Sequence, residues 1–183
     1  MAISTRLRLF HLFHLSNPAS DRAIYQAVHR RRVQRIVEFG IGSGQRALRL
    51  IEVAGQHFPP EQVSYTGIDP FEARKAEDGP GLTLKEAHRL LRATGARVRL
   101  VPGDPFAVFA AVVNTLGAAD LVLVDWPTER QHLPRITYLL ERMLHDGSLV
   151  LLKDRPEGGA TESVKILPLE RIRALAATFR KAA

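Results

Sequence analysis

Two apolar runs, Leu121-Val122-Leu123-Val124 and Leu149-Val150-Leu151-Leu152, constrain this chain more than any other feature. Neither alternates with polar side chains, so both faces of each strand must be covered, the condition of a strand inside a parallel sheet flanked by helices. Three further strand-like runs precede them, at 33–39, 63–69 and 96–101. The segments between have helical spacing. Ala47, Leu50, Ile51 and Ala54 share a face at i, i+3, i+4 and i+7, and Phe106, Phe109, Val112, Val113 and Leu116 share another. Right-handed crossovers through such helices give a doubly wound, mostly parallel α/β fold, in which ligands bind beyond the carboxyl ends of the strands where strand order reverses.

The helix ends carry their own signals. Thr83 and Glu86 form a capping box, Asp104-Pro105 reads as an N-cap with the first helical residue, and Gly95 and Gly117 sit where C-terminal glycines belong. Ahead of the alternating core, residues 5–15 and 19–32 read as two helices. Behind it come a polar loop at 155–162, a short strand at 163–167, and a terminal helix with Leu169, Ile172, Leu175 and Phe179 on one face. The expected organisation is an N-terminal helical extension, 1–32, on a doubly wound domain, 33–183, the two making one compact unit.

With 45% apolar and 25% charged residues, the composition is that of a globular protein. No stretch reaches the roughly 20 apolar residues of a membrane span. His11 and His14 interrupt the apolar N-terminus, so no signal peptide is expected and the cytoplasm is the expected location. The absence of cysteine excludes disulfides, thiolate nucleophiles and sulfur-ligated zinc. The net charge of +7 lies entirely in residues 1–50, where nine arginines face Asp21 and Glu38. Such asymmetry points to an anionic partner, or to a solvated basic face.

The first strand ends in Glu38-Phe39-Gly40-Ile41-Gly42-Ser43-Gly44. Glycines there permit a tight turn and let backbone amides approach a ligand, while the helix that follows offers its positive end to a phosphate or carboxylate. A dinucleotide fingerprint would need glycine at position 45, which is Gln45, and an acid closer than Asp69, 25 residues after Gly44. An NAD(P)-dependent oxidoreductase is therefore the weaker reading.

The pattern E-x-G-x-G-x-G closely resembles motif I of the class I S-adenosylmethionine-dependent methyltransferases, and the resemblance extends over roughly residues 33–154. It implies a Rossmann-like fold with S-adenosylmethionine as cofactor. Glu38, Gly40, Gly42, Ser43 and Gly44 would form the donor turn. Asp69, with Pro70 and Phe71, would meet the ribose; Gly103 and Asp104 the adenine; Asp125 the methionine end or the acceptor. The donor's own chemistry suits these groups, since a carboxylate accepts from a ribose diol and a helix N-terminus receives a carboxylate. Each residue also has a purely structural reading: Asp104 as a helix cap, Asp69 before Pro70 as a turn former, Glu38 as a brace for the glycine loop.

Methyl transfer from a sulfonium is an in-line displacement, so alignment matters most, with a base where the acceptor must lose a proton. Asp125 leads as that base, ahead of His132 and Lys153. The metal-dependent catechol-type relatives carry an Asp-Asn pair where this chain has Lys153-Asp154-Arg155, so no metal is expected. Asp125-Trp126-Pro127-Thr128 only faintly echoes the motif of amino-directed nucleic-acid methyltransferases. Trp126 either packs beside the sheet or stacks on a planar acceptor. His11 and His14 form a helical pair without a third ligand. The basic run 29–35 interleaves no aromatics, which leaves RNA a secondary option. The helix with Leu9, Phe10, Leu12 and Phe13 is suited to covering the core, lining an acceptor pocket or pairing two subunits into a homodimer.

Relatives usually end in a helix and an antiparallel strand pair, whereas 29 residues follow Asp154 here, so a shortened C-terminal end is expected. The leading reading is a methyltransferase of unknown acceptor, an anionic small molecule or RNA. The alternative from another class is a module that keeps the adenosyl pocket without transferring a methyl group.

Overall fold

The computed structural model describes residues 2–125, 133–154 and 163–182. Trp126, Pro127, Thr128, His132 and Arg155 lie outside the described residues. Two helices, α1 (Ala2–His14) and α2 (Ser20–Arg31), lead into an alternating core. That core runs β1 (Arg35–Phe39), α3 (Gln45–Ala54), β2 (Ser64–Asp69), α4 (Leu84–Arg92), β3 (Arg97–Pro102), α5 (Pro105–Leu116), β4 (Ala119–Val124), α6 (Leu133–Leu140) and β5 (Leu144–Asp154). The chain closes with β6 (Ser163–Ile166) and α7 (Leu169–Ala182).

The six strands lie in the order β3-β2-β1-β4-β5-β6. Every pairing is parallel except that of β6, which runs antiparallel to β5. Strand order reverses between β1 and β4, so the crevice of a doubly wound sheet opens there. The continuous apolar runs explain themselves in this setting. Leu121 and Leu123 pack on one side of the sheet with Leu149 and Leu151, against α2, α3 and α4. Val122, Val124 and Val150 pack on the other, against α5, α6 and α7. Residues of opposite parity thus serve two cores.

Local signals set the helix ends. Thr83 Oγ1 accepts from the Glu86 amide at 3.2 Å while Glu86 Oε2 accepts from the Thr83 amide at 2.9 Å, closing the capping box. The α2 helix buries Ile24, Tyr25 and Val28 completely, so it belongs to the main core. Leu12 of α1 is buried too, whereas Leu7, Phe10 and Leu15 are more than half exposed.

Phe109 is wholly buried beneath α5 and meets Phe39 edge-on with 4.9 Å between ring centroids. Replacing Phe109 by alanine should lower the unfolding free energy by about 3–5 kcal/mol in urea denaturation. Leu7→Ala, on the exposed face of α1, should change it by no more than about 0.5 kcal/mol.

Candidate functional site

The glycine turn bridges β1 and α3 with three residues in the left-handed region: Gly40 (φ 84°), Gly42 (φ 57°) and Gly44 (φ 74°). A side chain at any of them would be strained. At Gly44 a Cβ would also come within 2.8 Å of Leu90 Cδ2 on α4. Asp69, the last residue of β2, holds the turn in place. Its Oδ2 accepts from the amides of Ile41 at 2.7 Å and Gly42 at 3.3 Å, and its Oδ1 from the Phe71 amide at 2.8 Å. Phe71, itself at φ 50°, is fixed by that bond.

Arg74 completes the arrangement. Its Nε donates to Asp69 Oδ1 at 2.9 Å, its Nη2 to Oδ2 at 2.5 Å, and its Nη1 to the Asp78 carbonyl at 2.7 Å. A carboxylate offers about four lone-pair sites. Asp69 receives five donors and is 1% exposed, so its acceptor capacity is filled.

Behind the turn lies a buried ionic network. Arg46, in the first turn of α3, donates through Nε to Glu38 Oε1 at 2.7 Å, through Nη1 to Asp125 Oδ2 at 2.5 Å, and through Nη2 to the Gly40 carbonyl at 3.0 Å. Its Nη1 also stands 3.8 Å from Asp21 Oδ1. Lys153 adds a second cation, with Nζ 3.2 Å from Asp21 Oδ1 and 3.8 Å from Asp125 Oδ2. The Tyr65 hydroxyl donates to Glu38 Oε2 at 2.5 Å. Burial pushes the Glu38 carboxyl above the ordinary carboxylate range, against the pull of Arg46 and the Tyr65 hydroxyl. Burial also works against the charge on Arg46, yet Glu38, Asp125 and Asp21 outweigh it and hold the guanidinium more firmly protonated than usual. Burial, and then the charge of Glu38, raise the Tyr65 hydroxyl well above its ordinary value.

The turn and the network border a cleft of about 450 Å³ at the carboxyl ends of β1, β4 and β5. Of the residues the sequence singled out, Gly40, Gly42, Ser43, Asp125 and Lys153 line it. Glu38 and Asp69 lie behind its wall and act through Arg46 and Arg74, which do line it. Gly103 stands beside Asp69, its amide donating to the Asp69 carbonyl at 3.0 Å. Asp104 caps α5, accepting from the amides of Phe106 at 3.2 Å and Ala107 at 2.9 Å, and lines a separate hollow of about 270 Å³ with Arg135 and Leu139. Pro70 and Phe71 carry the chain from Asp69 toward Arg74 without lining the cleft.

Sequence reasoning missed Asp21, Arg46, Arg49 and Arg74, as well as the turn at Asn17-Pro18, whose Asn17 carbonyl accepts from Arg49 at 2.9 Å. Two of these had left a trace. Asp21 heads the apolar stripe Ile24, Tyr25 and Val28 of α2, and Arg46 heads the stripe Leu50 and Val53 of α3, so each charge occupies a core-facing position. A charge there calls for a buried partner. Among the described residues, no group of three His, Asp or Glu side chains is placed to hold a metal ion.

No protein-family model matches the sequence, and no curated protein matches it. Solved structures do resemble it. An O-methyltransferase from Bacillus cereus, crystallised with SAH, superposes with a TM-score of 0.55 at 12% identity, covering 97% of this chain and 78% of that one. The O-methyltransferase TomG from Streptomyces achromogenes, solved with SAM, gives 0.53 at 16% identity over 97% of this chain and 78% of its own. The SAH-bound methyltransferase PaMTH1 from Podospora anserina gives 0.53 at 18% identity over 82% and 60%. At these identities the likeness is one of fold: the chain has the Rossmann-like α/β fold that these methyltransferases share.

Proposed function

We propose that this protein is an S-adenosylmethionine-dependent methyltransferase acting on a small acceptor, in the manner named for the O-methyltransferases that share its fold. One observation carries the reading: the turn with its three left-handed glycines is clamped to the carboxylate ending β2, on the wall of a cleft at the reversal of strand order. The donor supplies an electrophilic methyl group on its sulfonium. The chain would supply placement. Gln45 and Arg46 at the start of α3 line the cleft, where a helix N-terminus would suit the donor's carboxylate, and Asp69 would suit its ribose diol once Arg74 has moved aside. Arg49 on the cleft wall favours an acceptor bearing negative charge.

A second reading has its own support. Asp125, the leading choice for a base, is held by Arg46 and lies near Lys153, and a carboxylate so engaged is a poor proton acceptor. A module that binds the adenosyl ligand without transferring its methyl group would show that arrangement. Incubating labelled methyl donor with small-molecule, RNA and protein fractions separates the two: label in the small-molecule fraction establishes the enzyme, while tight donor binding with no labelled product establishes the module.

Calorimetric titration with adenosylmethionine, adenosylhomocysteine and reduced nicotinamide cofactor should give binding by the first two alone. Asp69→Ala should weaken that binding by roughly 1.5–3 kcal/mol for each charge-assisted bond removed, in protein whose thermal melt shows it folded. Arg74→Ala has the opposite expected sign, a several-fold tightening, because no ion pair has to open before the ribose is bound. Weaker binding in that variant would place the guanidinium among the ligand's own contacts.

A further inference from the structure

The sheet has a second open site, on the face that carries α5 and toward the amino ends of the strands. Strand register places it. Arg35, Ser64 and Arg97 are directly paired across β1, β2 and β3, and Val37, Thr66 and Arg99 form the next row on the same face. A third row, Phe39, Ile68 and Val101, is buried in the core that contains Phe109 and Val113 of α5. α5 ends at Leu116, followed by Gly117 at φ 70°. Toward the β3 edge the lower rows open into a groove of about 250 Å³ lined by Ser64, Thr66, Arg97, Arg99 and Thr115, while Val37 stays buried in the core.

The chemistry of that groove is uniform. Arg97 and Arg99 stand two residues apart on an edge strand, roughly 7 Å between their Cα atoms, and project to the same side. Arg99 Nη1 donates to Thr115 Oγ1 at 3.0 Å, which extends the guanidinium along the groove without neutralising it. Arg35, at the margin, reaches the Ala118 carbonyl at 3.5 Å. Among the described residues none of these three arginines has a carboxylate partner. Asp120, on the neighbouring strand, accepts instead from the amides of Gln34 and Arg35, both at 2.8 Å, and lies 3.1 Å from His145 Nε2. Thr66 is 7% exposed, and its hydroxyl has no partner among the described residues. Thr66 lines the groove, so its hydroxyl is within reach of a ligand there.

We infer that this groove is a phosphate-binding site: two guanidinium groups without a carboxylate partner among the described residues and the hydroxyls of Ser64 and Thr66 form a donor set for a phosphate monoester or phosphodiester, while Thr115, whose hydroxyl donates to the Val112 carbonyl, orients Arg99. Guanidinium pairs and hydroxyls recur wherever phosphate oxygens are bound through charge-assisted hydrogen bonds. The site is separate from the cleft at the opposite ends of the strands, and the proposed methyl-donor chemistry plays no part in it.

The test uses the full chain at low salt, with inorganic phosphate, uridine monophosphate and a short fluorescent oligouridylate as probes, read by calorimetry and anisotropy. The Arg97→Glu/Arg99→Glu double variant should raise the dissociation constant for whichever probe binds by at least about tenfold. For the oligonucleotide it should flatten the slope of log K against log salt by about 0.7 for each phosphate no longer neutralised. The matched double variant Lys85→Glu/Arg89→Glu, on α4 across the sheet, should leave binding close to wild type. Thr66→Val, which keeps the strand's shape, should weaken binding several-fold, so the site can still be judged if the charge reversals unfold the protein. Competition by phosphate or the mononucleotide as strong as that by the oligonucleotide identifies a small phosphorylated ligand; binding that grows with chain length identifies an RNA backbone. Failure of all three probes to bind wild type, or equal losses in the groove and α4 variants, overturns the assignment.

Discussion

One buried guanidinium holds the candidate site together. Arg46 ties β1 to β4 through Glu38 and Asp125, grips the glycine turn by the Gly40 carbonyl, and faces Asp21 from α2. Groups so enclosed are tolerated only when each charge has a partner, and removing one from such a network commonly costs about 3–5 kcal/mol because the others are left uncompensated. Among the described residues, Glu38, Asp125 and Asp21 meet the cations Arg46 and Lys153 there. At Glu38 burial favours the neutral form, and the Tyr65 hydroxyl donates to the second oxygen.

A second clamp works alongside it. Asp69 and Arg74 fasten the turn from the β2 side, and Leu82 adds a further tie as its amide donates to the Gly42 carbonyl at 3.1 Å. The turn is therefore pinned from both flanks by charge and from above by the segment that follows Arg74. Its left-handed positions are glycines, which adopt that backbone without strain, and these ties select one conformation of it.

Much of this was legible in the sequence. The uninterrupted Leu/Val runs implied a two-sided sheet, and Leu121 and Val122 do face different cores. The capping box at Thr83 and the cap at Asp104 were readable because they are local, each needing only residues within three positions. The glycine turn was readable for the same reason. The ion network was not, since Asp21, Arg46 and Lys153 come from distant parts of the chain and no short pattern joins them. Arg74 was missed because it stands in an irregular stretch where spacing carries no information, although it covers the acid that the sequence had singled out. Gly67 gave a signal that went unread. It interrupts β2, and a Cβ there would lie 2.3 Å from Ile41 Cδ1, so the glycine keeps room for the turn above it.

Asp21 gives the first two helices an unexpected standing. A carboxylate supplied by α2 joins the ionic network around Lys153 and Arg46, so the leading segment is wired into the crevice electrically as well as packed against the sheet. A slight rocking of that helix pair would alter the potential felt by anything lying in the crevice, without any side chain of the glycine turn having to move. The amino-terminal helices thus help set the polarity of the chamber through a single carboxylate.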